Sequence, residues 1–148
     1  MRALCVGLLV LLLCSSPGLA ASPFGARLGS CGVAILGASV GVVASVSAIA
    51  NVAPQIESRL GKTAFVIGSL TILDGLGAAM GVLTAAKLWD TEGHAGRSIL
   101  GGMAGGFVSA FTEPILMTIG IPEGWTEFIG MALLPLLPAV GAMLGFAG

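Results

Sequence analysis

Asp74 and Glu113 are the residues best placed to do chemistry, because each is an acid set inside a long apolar run. Asp74 is the only charged residue between Lys62 and Lys87, and Glu113 interrupts an otherwise uncharged stretch from Ser98 to Ile121. A carboxyl group in such surroundings takes up and releases a proton, holds a cation, or makes a hydrogen bond between helices. No basic residue stands at the same depth to pair with either acid. Two readings stay open: candidate proton- or cation-binding groups, or neutral acids with a structural role.

Other spacings suggest chemistry that their context refuses. Gly37-Ala38-Ser39-Val40-Gly41 has the form of a nucleophile elbow, and Asp74 and His94 follow in the order of a hydrolase triad. That elbow needs a strand, a turn and a helix in a soluble sheet. Ser39 instead lies in a run without charge from Leu28 to Ile56, and His94 lies in a polar loop. Gly75, Gly77 and Gly81 imitate a dinucleotide fingerprint without the βαβ unit that gives it meaning. His94 with Asp90 and Glu92 lacks the second histidine or cysteine that a metal site would want. The expectation is a protein that is not an enzyme, with no catalytic residue, no metal site and no cofactor.

The whole composition explains why apolar context dominates. Of 148 residues, 56% are hydrophobic and 9% charged, with a mean hydropathy of +1.06. Soluble domains carry about a quarter charged residues, so this chain has too few to cover a surface facing water. A net charge of −1 with no basic block excludes nucleic acid as a partner. The chain reads as an all-α integral membrane protein whose first partner is the lipid bilayer.

Residues 1–20 read as a cleavable signal peptide: Arg2 supplies the positive start, Ala3 to Leu13 the apolar core, and Ser15 to Ala20 the small-residue end broken by Pro17. That core is too short for a span, which takes about 20 residues. The secretory route is therefore expected, into a bacterial cytoplasmic membrane or a eukaryotic endomembrane or plasma membrane. Cys5 and Cys14 leave with the signal, so Cys31 is the only cysteine of the expected mature chain.

Residues 21–148 form one polytopic domain with spans expected at 32–53, 63–86, 98–121 and 126–147. The connections are short, so the spans should pack as a four-helix transmembrane bundle of two antiparallel hairpins. Signal cleavage would leave the new N-terminus outside and the 54–62 loop inside. Basic residues do not decide orientation, with Arg59 and Lys62 on one side and Arg27, Lys87 and Arg97 on the other.

In lipid, apolar burial gives helices little reason to associate, so small residues that admit a close neighbour decide the contact. Gly37 and Gly41 line one face of the first span, Gly77 and Gly81 the second, and Gly101 and Gly105 the third. A second stripe, Gly102 and Gly106, lies beside the third span's first one, and Gly141 and Gly145 follow Pro135 and Pro138, which should kink the fourth. Helical spacing puts Asp74 on the face of Gly77, Ala78, Gly81 and Ala85, and Glu113 on the stripe of Gly101, Gly105 and Ser109. Both acids are expected at packing faces, as near neighbours on adjacent helices.

Residues 32–86 resemble the proteolipid c subunit of rotary ATPases, a hairpin with a glycine-patterned first helix, a polar loop and a mid-membrane carboxylate on its second helix. Gly37 and Gly41, the loop holding Pro54, Gln55 and Arg59, and Asp74 occupy those places. The glycine repeat is sparser here, the arginine follows the proline, and the second hairpin does not repeat the pattern. The resemblance is one of mechanism and implies ion handling at Asp74. From the residues themselves, the expected function is a structural or accessory subunit, partnered by other membrane subunits or by itself. The alternative is a proton or cation transport or channel element using Asp74 and Glu113.

Overall fold

The computed structural model describes residues 23–147, so the signal peptide expected at 1–20 lies outside the described residues. The described chain is helical: α1 (Pro23–Val52), a 3₁₀ turn (Ala53–Gln55), α2 (Arg59–Ser69), a π-turn (Leu70–Asp74), α3 (Gly75–Leu88), α4 (Ala95–Ala110), α5 (Thr112–Thr118) and α6 (Glu123–Ala147). Joined end to end, these make four helices long and apolar enough to cross a membrane: Gly29–Gln55, Arg59–Leu88, Ala95–Thr118 and Glu123–Ala147. Most ends run two to four residues beyond the expected limits, because the polar loop residues also take up helical turns, but the third span stops three residues short of 121 and the fourth ends at the expected 147.

Local chemistry sets the helix ends. Ser58 caps α2, its hydroxyl accepting from the Gly61 amide at 3.0 Å. The second span stops at Trp89 and Asp90, where Asp90 takes a left-handed conformation (φ 49°) and the Thr91 amide reaches back to the Ala86 carbonyl at 2.9 Å. Gly120 (φ 82°) closes α5 the same way, with the Ile121 amide on the Leu116 carbonyl. The third span breaks at Phe111, and Pro114 explains why. Proline has no amide to give the Ala110 carbonyl four residues back, and its ring crowds that oxygen. The fourth span runs through Pro135 and Pro138 as one continuous helix.

The bundle is built small side chains inward and large ones outward. Its buried centre is Ala34, Ala38, Ala78, Val82, Ala139 and Ala142, while Val40, Met80, Leu100, Phe128, Met131 and Leu144 are exposed. Water would penalise that arrangement, and hydrocarbon does not. The first span packs on the second and fourth, and the third packs on the same two from the other side.

Glycine sets how near the backbones come. A Cβ added at Gly41 would sit 2.7 Å from the Asp74 Cα, and one at Gly81 would sit 2.8 Å from the Ala34 Cα. One at Gly37 would overlap the Gly77 carbonyl oxygen, and one at Gly77 the Gly37 carbonyl oxygen. As the first span ascends in number its partner descends, so the two run antiparallel. The third span uses its two stripes for two neighbours. Gly101 and Gly105 meet Gly141 and Leu137 of the fourth span, and Gly102 and Gly106 meet Gly75 and Thr71 of the second.

Candidate functional site

Asp74 is fully buried. It sits at the last position of the π-turn, where wider i→i+5 winding replaces the α-helical bond pattern. Gly75 follows, and a Cβ there would come within 2.6 Å of the Met103 backbone, so the third span closes directly over this point. From the first span, Ser45 is also fully buried and its hydroxyl reaches the acid, with Ser45 Oγ 2.5 Å from Asp74 Oδ1. The same hydroxyl lies 2.9 Å from the Gly41 carbonyl oxygen and 3.2 Å from the Ser69 carbonyl oxygen. A hydroxyl owns one hydrogen, so it can donate to only one of these three oxygens at a time.

Two buried oxygens of this neighbourhood have no hydrogen-bond partner among the described residues: Asp74 Oδ2 and Thr71 Oγ1, the second from within the same π-turn. Below them Ser109, buried on the third span, bonds back to the Gly106 carbonyl at 2.7 Å. The site is thus a small polar knot at the junction of three spans. It has an acid, a hydroxyl that touches it, and acceptor oxygens in excess of the protons available.

Glu113 does not join it. The expectation that the two acids are near neighbours on packing faces is corrected here: Asp74 is interior and Glu113 is exposed, in the first turn of α5. The stripe of Gly101 and Gly105 was carried across the break at Phe111, where the 3.6-residue periodicity stops holding. The level mismatch adds to this. Gly106 stands beside Leu70 and Thr71, so Glu113 lies about two helical turns further from Asp74, roughly 10 Å along the axis.

The structure does not bring Ser39 and His94 together either. Ser39 Oγ donates to the Ile35 carbonyl at 2.8 Å, within the first span. His94 precedes α4 at the end where Trp89 covers Gly29, about 15 Å along the helix from Ser39. His94 lends its amide to the Phe146 carbonyl (3.1 Å).

Reasoning from the sequence missed Ser45, which continues the four-residue spacing of Gly37 and Gly41, as a partner of Asp74. The signal was there. If the helices turn back near residue 57, Ser45 and Asp74 fall within about one and a half helical turns of the same level. Set against known families, characterised proteins and solved structures, the chain matches none.

Proposed function

We propose that this is a small multi-pass integral membrane protein, non-enzymatic, inserted through the secretory pathway and working as a structural or accessory subunit of a homo-oligomer or a larger membrane complex. The observation that carries the reading is the inversion of ordinary burial: alanine, glycine and serine inside, the large aliphatic and aromatic side chains outside. In this reading the mature chain begins near Ala21, with the 53–58 turn on the cytoplasmic side. Purification in mild detergent tests it through two measurements. The particle should be larger than one chain, with its companions identified by mass spectrometry, and the intact mass should correspond to a chain starting near Ala21. A bare monomer at every detergent concentration would count against the subunit reading, and retention of residues 8–13 against the cleaved signal.

A second reading is favoured by one observation, the buried Asp74 with Oδ2 unpartnered and only a serine hydroxyl at Oδ1. In it, Asp74 is the ion-handling group of a proton or cation transport element, without Glu113. Proton and cation flux into liposomes should then exceed that of empty vesicles and fall to background in Asp74→Asn, which keeps size and hydrogen bonding but cannot ionise. Wild-type vesicles no leakier than empty ones would remove a self-contained carrier.

A further inference from the structure

Resting on that second reading, we infer that the occupant of the Asp74 site is a proton and not a metal cation, and that Ser45 is the group that receives it. The argument begins with space. Gly41 brings the first span's backbone against the Asp74 Cα, and Gly75 brings the second span's backbone against Met103, so polypeptide closes on the acid from both sides. A bound calcium ion takes six to eight oxygens at about 2.3–2.6 Å, and magnesium six at about 2.0–2.1 Å. Asp74 and Ser45 supply the side-chain oxygens in contact here, and they stand 2.5 Å from one another. These two oxygens are in direct hydrogen-bond contact, which leaves no place for an ion between them.

Charge points the same way. Along the first span no residue is charged between Leu28 and Ile56, the third span faces the site with Gly102 and Met103, and the fourth has no charge after Glu127. A carboxylate at this level would be a buried charge with no counter-ion, which a compact apolar interior holds only at a large cost. A divalent ion would leave a net positive charge in its place, and a monovalent ion, which would neutralise the acid, meets the same closed packing.

With a proton, the hydrogens balance. Asp74 Oδ1–H donates to Ser45 Oγ, and the Ser45 hydrogen turns to the Gly41 carbonyl at 2.9 Å. The Asp74 and Ser45 hydrogens then each have an acceptor, and Oδ2 is left as an uncharged oxygen. Loss of the proton reverses the chain: Ser45 swings its hydrogen onto the carboxylate. The serine is thus a positioning residue that can serve either state of the acid by a single rotation.

The test uses the full chain in liposomes, labelled with ¹³C at the aspartate carboxyl carbon. Asp74 and Asp90 are the two aspartates, and Asp90 is an exposed loop residue in the left-handed region, where asparagine is well tolerated. Asp90→Asn therefore leaves Asp74 as the single labelled side chain. At neutral pH its infrared spectrum should show the carbonyl band of a protonated acid. That band should be unmoved by sodium, magnesium or calcium chloride, and should shift to higher frequency in Ser45→Ala as its hydrogen bond is lost. Carboxylate bands in place of the acid band, or loss of the acid band on adding any of the three salts, would overturn the inference. An acid band indifferent to Ser45→Ala would remove the serine's role. An acid band together with vesicles that pass no protons would defeat the transport reading while leaving the occupant established.

Discussion

The seam between the first and second spans and the seam between the third and fourth solve the same problem with different parts. Both rest on glycine: Gly37, Gly41, Gly77 and Gly81 in the first, Gly101, Gly105, Gly141 and Gly145 in the second. A Cβ at Gly105 would lie 2.7 Å from the Pro138 Cα, as near as one at Gly41 would lie to the Asp74 Cα. Yet among the described residues the second seam holds no buried acid and no π-turn, although Ser98 and Thr126 are buried on its helices, and it tolerates two prolines. Glycine contact alone therefore closes two helices of this chain. Asp74 and Ser45 are surplus to that task, which argues that the polar knot serves something other than adhesion.

The largest effect should come from filling either seam. Gly105→Leu, or Gly37→Leu in the other seam, should cost about 3 kcal/mol or more, the upper end of overpacking, because the atoms in the way are backbone and cannot rotate aside. Thermal unfolding in detergent would measure it. A large loss for one and tolerance of the other would mean that the seams are not built alike. Removing the acid should do less. Asp74→Leu should lower stability by about 1 kcal/mol, the scale of hydrogen bonds in membrane bundles. If it instead matched Gly105→Leu, Asp74 would belong to the adhesive machinery and the contrast would collapse.

Glycines outside the seams should behave in the opposite sense. A Cβ at Gly68 meets nothing within 4 Å, so Gly68→Ala should stabilise by about 0.5–1 kcal/mol through a stiffer unfolded chain. A loss there would place Gly68 at an interface with another subunit. The smallest effect belongs to Leu116→Ala on α5, beyond the break in the third span. Melting temperature should register a change within about 0.5 kcal/mol.

Much of this architecture can be read from residue types. Four spans follow from the apolar runs bounded by Glu57, Lys62, Lys87, Arg97 and Glu123, which hold few charges (Asp74, Glu113 and Glu127), since length and polarity are properties of single segments. The packing faces follow from Gly37 with Gly41 and from the double stripe at Gly101 and Gly102, because helical periodicity is local. The burial of Asp74 is legible on the same ground. Glu113 is where local reasoning fails, although Pro114 beside it carries the warning: a stripe cannot be extended past a residue that breaks the winding. Ser45 was harder, because its contact with Asp74 depends on where two helices turn back, a property of the pair. The π-turn at Leu70–Asp74 is not legible in the same way: four of its five residues are ordinary leucine, isoleucine and threonine, and the fifth, Asp74, marks the place without indicating wider winding.

That π-turn has a consequence for inheritance. A helix wound i→i+5 over one turn holds one residue more than its path requires, and the flanking α-helical turns keep the faces they would have without it. The second span is therefore one codon longer than its contacts with the first and third demand. Ile72, in the middle of the turn, points outward at 47% exposure, so its in-frame deletion is the rare case of a loss inside a membrane span that should leave Gly77 and Gly81 on their partners. What the shorter chain gives up is the local widening that carries Asp74 to Ser45. The extra residue thus has its structural effect at one side chain, the acid it brings to the first span's serine.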